Sequence, residues 1–301
     1  MFPLQYDPPV FRPPSEGRSL LLQVTLGCSH NACTYCMMYR TKTFQVRERR
    51  DLFAEIDGVA ELCQRHGRGP EKVFLCDGDA LAAPFELLRD VTEKIRRDLP
   101  TVRRLGIYAT VDNVLQKSPE ELQALARAGL NIAYMGTESG CDKVLKKVVK
   151  GNDAAASVRA ASILHDAGWK ISTIIMLGIG GREDSASHCQ ETARILSAIR
   201  PAWFSFLTTN VLPGSPLAKR QKRGVFTPLT IRELLAEMRA ILAGLTFPDD
   251  DAVVFRANHV SNQYPIGGTL PADQGQLVRV LDDWVARCPE GTYPDNDPSM
   301  L

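Results

Sequence analysis

The chain alternates between two hydrophobic rhythms from residue 20 onward. Leu20-Leu21-Leu22-Gln23-Val24-Thr25-Leu26 is an apolar run that breaks at Gly27, and it predicts a buried strand feeding a loop. Over residues 51–66 the apolar positions move to helical spacing (Leu52, Ile56, Val59, Leu62), and Val73-Phe74-Leu75-Cys76 returns to a short strand. The same alternation predicts helices near 84–99, 119–128, 153–167 and 185–199, with Gly129 and Gly168 stopping the second and third. Between them fall strands at 105–110, 131–135, 170–177 and 203–208. Strands separated by helices of this length pair in parallel with the helices outside, because a tight hairpin cannot return a parallel strand. An open sheet and a partial barrel both satisfy this rhythm, and either gathers the loops after the strands on one face, where ligands bind.

After Pro216 the rhythm changes to a helix at 230–245, a strand at 252–257 and a helix at 274–288. The predicted organisation is a proline-rich extension over 1–18, a main domain over 19–218 and a small α+β cap over 219–301, with 289–301 expected to fray.

Composition narrows the function classes. A chain of 301 residues with 44% apolar content fills a sizeable core. Thirty-six Lys and Arg against thirty-five Asp and Glu leave a formal charge of +1, which is no field for holding a phosphate backbone and disfavours nucleic acid as a partner. Apolar stretches such as 171–179 are far shorter than the roughly 20 residues that span a bilayer, so no membrane segment is expected. The proline-rich start lacks a basic stretch followed by an apolar run, so it does not read as a secretory signal, and a cytoplasmic location is expected.

The cysteines carry the chemistry. Cys63, Cys76, Cys141, Cys189 and Cys288 are scattered among the predicted elements, whereas Cys28, Cys33 and Cys36 share one loop directly after the first strand. Three clustered thiols with five single ones point to a metal site plus buried thiols in a reducing compartment. Four residues separate the first pair and two the second, so three thiolates can converge on a cubic iron-sulfur cluster and leave its fourth iron open to an outside ligand. A structural zinc site is the alternative, and it would recruit His30 or a distant cysteine as its fourth ligand.

Gly27-Cys28-Ser29-His30-Asn31-Ala32-Cys33-Thr34-Tyr35-Cys36 resembles the cysteine loop of the radical S-adenosylmethionine (SAM) superfamily. The resemblance covers roughly residues 19–218, and the four-then-two spacing is a variant of the superfamily's commonest three-then-two. It implies a partial (β/α)6 barrel of parallel strands, an α/β fold, here with a small C-terminal α+β cap. Cys28, Cys33 and Cys36 would hold a 4Fe-4S cluster, and Tyr35 would pack near the adenine of SAM or simply pack the loop. Asp77-Gly78-Asp79 stands where the family receives the methionine amino group, although such a turn is also an ordinary loop. Glu138 and Ser139, at the end of the fourth strand, would face the ribose and methionine, or cap the next helix.

Leu177-Gly178 begins a glycine turn similar to the one whose backbone meets adenine, and Leu212-Pro213 resembles a second adenine-side loop; both are also compatible with simple turns. Asp153 and His165, on the helix before the fifth strand, correspond to groups that contact the ribose or the carboxylate in some relatives. His165 also fits as a helix-end residue near Gly168.

The implied reaction is reductive cleavage of SAM to methionine and a 5'-deoxyadenosyl radical, fed by a flavodoxin or ferredoxin. Arg256, His259 and Asn262 lie in a polar stretch after a short strand and would bind a small polar or anionic substrate, or form a satisfied polar loop. Modification of RNA or protein is the alternative within the superfamily, and a non-enzymatic metal-binding module is the alternative outside it.

Overall fold

The structure, a computed structural model, describes residues 4–294. It divides into two compact units. The first comprises Met1–Asn31, Met38–Met135 and Ser162–Ile171, and the second Ala32–Met37, Gly136–Ala161 and Ser172–Leu301.

In the first unit β1 (Leu20–Gln23) is followed by the short β2 (Thr25–Leu26) and β3 (Gln45–Val46), then α1 (Arg49–His66), β4 (Lys72–Cys76), α2 (Phe85–Asp98) and β5 (Arg104–Ala109). Two helices, α3 (Val111–Gln116) and α4 (Pro119–Ala128), lead to β6 (Ile132–Glu138), which passes into the second unit at Gly136. The strands pair in parallel in the order β1-β4-β5-β6, with Leu22 opposite Leu75, Leu75 opposite Ile107 and Ile107 opposite Ala133. Phe74 lies edge-on to Tyr108 and Tyr134 at 4.8 and 5.2 Å between ring centres, which fills this half of the core.

The expected strand over 20–26 is interrupted. Val24 stands between β1 and β2, and its carbonyl accepts from Arg47 N–H at 3.0 Å, so that β2 turns away to pair antiparallel with β3. The helix α3 was not expected from periodicity. It starts at Thr110, whose hydroxyl accepts from Asn113 N–H while the Asn113 side chain accepts from Thr110 N–H, a reciprocal cap.

The second unit continues with α5 (Asp142–Lys147) and the first part of α6 (Ala154–Asp166), whose end and the first two residues of β7 (Lys170–Leu177) belong to the first unit; the rest of β7, α7 (Gly181–Ile199), β8 (Trp203–Thr208), α8 (Pro216–Lys222), α9 (Ile231–Ala243), β9 (Val253–Ala257), β10 (Ile266–Leu270) and α10 (Gln274–Arg287) complete the second. The C-terminal α+β part is joined to the strands before it by pairing and burial. Its strand β9 pairs in parallel with β8, placing Phe255 beside Phe204, and β10 returns antiparallel along β9. Phe204, Phe206 and Phe255 form one aromatic cluster under Leu234, Met238 and Ile241 of α9, and this burial joins the last elements to the sheet. The fold is therefore α/β with an open, mostly parallel sheet, as expected for a partial barrel.

The proline-rich start is anchored through a buried acid. Glu16 is fully buried, pairs with Arg104 at 2.8 Å, and accepts from Ser19 Oγ at 2.5 Å and from the Tyr134 hydroxyl. Glu16→Ala strands the Arg104 guanidinium and the Tyr134 hydroxyl, and should cost about 3 kcal/mol of stability. Urea unfolding measures this, and an unchanged midpoint would contradict the anchoring role.

Candidate functional site

The loop bearing the three cysteines is divided between the units, with Cys28 in the first and Cys33 and Cys36 in the second. In the first unit, Asp77-Gly78-Asp79 follows β4 directly and surrounds Cys28 from both sides along the chain. Asp77, fully buried with φ +74°, accepts from Gly27 N–H at 2.7 Å, from Gln23 Nε2 at 3.1 Å and from Lys42 Nζ at 3.0 Å. Asp79, also fully buried, accepts from Ser29 N–H at 3.1 and 3.2 Å and from the Ser29 hydroxyl. Between them Gly78 N–H donates to Gly27 O at 2.9 Å, and a Cβ at Gly78 would lie 2.5 Å from Cys28 Cβ. Only glycine fits there. Burial pushes the Asp79 carboxyl up, while its bonds from Ser29 pull it down.

In the second unit, residue 34 is pinned on two sides: Thr34 N–H donates to Val148 O at 2.9 Å, and Thr34 O accepts from Leu217 N–H at 3.0 Å. This fixes the backbone between Cys33 and Cys36. Beside it Glu138, with φ +64° at the end of β6, pairs with Lys150 at 3.0 Å and accepts from the Tyr35 hydroxyl. Burial would lower the Lys150 ammonium, but Glu138 and the neighbouring thiols of Cys33 and Cys36 outweigh it and hold it above its ordinary value. Tyr35 is pushed well up by burial and by Glu138, and it stays a neutral phenol. Its ring also packs against Val211, Leu217 and Phe226.

At the ends of β7 and β8 a pocket of about 390 Å³ is lined by Gly178, Thr209, Val211, Phe226 and Leu229 among others. Gly178 takes φ +76° and its N–H donates to Glu237 Oε2 at 2.6 Å. The Phe226 loop is tied down, because Arg182 N–H donates to Thr227 O at 2.8 Å and the Thr227 hydroxyl donates to Glu183 at 2.6 Å. Among the described residues the Thr209 hydroxyl is buried without a partner, and so are both polar atoms of the Asn210 amide.

Several of the side chains assigned from the sequence have partners within the protein. Asp77 accepts from Gly27 N–H and from Lys42 Nζ. Ser139 is fully buried and turned inward, accepting from Cys141 N–H at 3.0 Å and bonding His188 Nδ1 at 2.8 Å; burial holds that histidine down at about 4, so the pair is a neutral packing contact. Asp153 caps α6 by accepting from Ala156 N–H at 2.6 Å. His165 is exposed at the opposite end of α6, before β7 begins, and its carbonyl accepts from Gly168 N–H at 2.9 Å. Asn262 latches onto β8, accepting from the Thr208 hydroxyl at 3.0 Å and donating to Phe206 O at 2.7 Å.

The remaining assignments differ in how much of each side chain is left over. Arg256 directs Nη1 at the carbonyls of Phe255 and Gly268, at 2.6 and 3.1 Å, in its own hairpin. His259 is half-buried, with Nδ1 accepting from Ser261 N–H at 3.2 Å, and burial pulls its imidazole below the ordinary histidine value. The Leu177 side chain belongs to the core, whereas its carbonyl accepts from Thr209 N–H at 2.9 Å. Leu212 O accepts from Ser215 N–H at 3.1 Å, which makes residues 212–215 a turn with Pro213 exposed. Lys42, Lys150, Thr209, Asn210 and Glu237 carry much of this geometry and had no motif to announce them.

None of the eight cysteines is in a disulfide, and Cys28, Cys33 and Cys36 are half-buried. Among the described residues no three or more His, Cys, Asp or Glu side chains are already gathered to hold a metal ion, so the ligand assignment rests on the motif and on each cysteine's surroundings. No helix among them is long and apolar enough to cross a membrane.

Residues 22–193, more than half of the chain, match the family model of the Radical SAM superfamily. A protein of Methanocaldococcus jannaschii named as a methylthiotransferase is 27% identical over 166 residues, 52% of this chain and 34% of its own, so the chain spans about a third of that relative. Among solved structures, Elp3 of Methanocaldococcus infernus aligns with a TM-score of 0.53 at 15% identity, covering 89% of this chain and 63% of that one. Coproporphyrinogen III oxidase (HemN) from Escherichia coli aligns at 0.56 and 15%, covering 75% and 52%. At such identities the structures speak for the fold, while the family model covers the cysteine loop and the strands around it: the chain belongs to the radical SAM superfamily, whose enzymes bind a 4Fe-4S cluster and S-adenosylmethionine.

Proposed function

We propose that the chain is a radical SAM enzyme in which Cys28, Cys33 and Cys36 hold a 4Fe-4S cluster and leave one iron for the methionine end of SAM. The observation that carries this reading is how the cysteine loop is held: a rigid clamp on residues 27–29 and a buried Lys150–Glu138 pair beside Cys33 and Cys36. The residues fit the group. Thiolates are the soft donors that iron-sulfur clusters take, and a buried ammonium next to two of them offsets the negative charge that they would gather. When bound, the cluster supplies the electron that splits SAM into methionine and a 5'-deoxyadenosyl radical.

The protein's own residues position and shield. Asp79 keeps lone pairs for a further donor and suits the methionine amino group, and Glu138 suits a ribose hydroxyl. The adenine is assigned to the pocket at Gly178, Thr209 and Val211, and Tyr35, next to Cys36 in the chain, packs on the cluster to which the pocket residues Val211 and Phe226 belong. Leu212 and Pro213 border it by sequence only. Flavodoxin or ferredoxin is assigned as the electron donor, and a small polar molecule near His259 as the substrate. A macromolecular substrate is the second reading, favoured by the likeness to a protein named as a methylthiotransferase; the net charge of +1 weighs against RNA.

The experiment is anaerobic reconstitution. Roughly four irons per chain and release of 5'-deoxyadenosine on adding dithionite and SAM are expected. Cys33→Ala should lose both, and Cys189→Ala, in the α7–α9 core, should lose neither. One zinc per chain and no 5'-deoxyadenosine would sink the reading.

The turn at Gly178 gives a pH signature of its own. Burial pushes the Glu237 carboxyl up to about 7, with bonds from Ser185 and Gly178 pulling it down and Glu233 adding to the rise. A raised folded-state value means that its contribution to stability is fully present below about 4.5 and is lost as pH rises through about 7. Wild type should therefore lose roughly 2 to 3 kcal/mol between pH 5 and pH 8 relative to Glu237→Gln, which cannot ionise. Parallel urea midpoints for the two proteins across that range would refute the assignment.

A further inference from the structure

The residues after α10 are not frayed as far as residue 294; those from 295 on lie outside the described residues. Ile231 N–H, at the start of α9, donates to Thr292 O at 2.8 Å, and Glu290 pairs with Arg232 at 2.5 Å. The Tyr293 hydroxyl bonds to Arg182, whose guanidinium also grips Glu233 through two bonds of 2.7 and 3.0 Å. The tail is thus tied to the first turns of both α7 and α9. Tyr293 and Pro294 line the pocket that opens at Gly178 and Thr209. Tyr293 keeps 49% of its surface exposed, so its ring forms a boundary between pocket and solvent.

The walls describe the ligand. Val211, Phe226 and Leu229 are apolar, Gly178 presents backbone without a side chain, and the buried Thr209 hydroxyl offers an unused donor and acceptor. A flat heterocycle with polar atoms only at its edge satisfies all three, because its faces need apolar cover and its edge needs a hydrogen bond. On the reading above, that heterocycle is the adenine of SAM.

We propose that Tyr293 is the outer wall of the adenine subsite, so that residues 290–294 form a SAM-binding element. Among the described lining residues Phe226 and Tyr293 are the aromatic ones, so without Tyr293 the heterocycle would keep a single aromatic neighbour. The proposal rests on the assignment of SAM given above, and the experiment separates the two.

SAM binding is measured by calorimetry on the anaerobically reconstituted full chain, without reductant so that nothing is cleaved, with 5'-deoxyadenosine and methionine as separate probes. Tyr293→Ala should weaken SAM and 5'-deoxyadenosine about tenfold, the usual size of a lost stacking partner, and leave methionine unchanged. Tyr293→Phe keeps the ring and should stay within about twofold of wild type. Phe226→Ala, on the inner wall, should weaken SAM as well. Bound SAM should also slow hydrogen exchange at the Ile231 amide, which the tail covers, and this can be read in the wild type even where a variant folds poorly.

SAM binding that is lost in Phe226→Ala but unchanged in Tyr293→Ala overturns the tail's role and leaves the pocket standing. Equal affinity in all three variants, or no effect of SAM on Ile231 exchange, also overturns it while the wild type still binds SAM. A wild type that binds no SAM takes the function with it.

Discussion

The organisation of the site depends on a buried ion pair at the mouth of the first strand. Lys42 and Asp77 expose 4% and 0% of their side chains, so each would carry a large desolvation penalty alone. Together they are tolerable only in one geometry, and that geometry also directs a carboxylate oxygen at Gly27 N–H. The residue before Cys28 is therefore positioned by the need to neutralise a buried charge, and Ser29, after it, by a second buried carboxylate. Gly78 completes the arrangement by letting two backbones come close enough for a bond of 2.9 Å. A loop of ten residues without regular structure would otherwise have many conformations, and fixing its first turn removes most of that freedom before any cofactor arrives.

The second unit meets the same need differently. There a cation, Lys150, is buried beside Glu138, and the acid is shared with the Tyr35 phenol. The cation outlasts its burial because Glu138 and two thiols lie near it. Lys150 follows Val149, a β-branched residue at φ +57° where glycine would ordinarily close a helix, and Val148 O holds Thr34. Backbone strain, a charged pair and the cysteine loop thus meet over three consecutive residues, which is where strain is most often retained for function.

How much of this could be read from the sequence follows from the range of each interaction. The alternation of strands and helices was legible because burying one face leaves a periodic trace, and the limits of β7, β8 and α4 match the pattern. The cysteine spacing was legible because all three ligands lie within one loop. The partners of Asp77 were not, since Lys42 and Gln23 lie 35 and 54 residues away and nothing local marks them. For the same reason the sequence leaves Asn262 open between a substrate contact and a satisfied polar loop, and its bonds to β8 across 54 and 56 residues are visible only in the fold. The strand β10, with Gly267 and Gly268 at its centre, has too few apolar positions for an alternating pattern and is fixed by pairing with β9.

The uncompensated groups give the last step. Leaving a buried hydroxyl or amide unpaired costs about 1–3 kcal/mol, and a fold selected for stability alone would have replaced it. At the end of β8 two neighbouring residues, Thr209 and Asn210, both carry this cost, while Thr208 just before them is fully satisfied by Asn262 and Ser261. The boundary between satisfied and unsatisfied falls where the parallel strand stops and the ligand face begins. Thr208 secures the strand, and the two residues after it leave polar atoms without a partner among the described residues, on the face where ligands of parallel sheets bind.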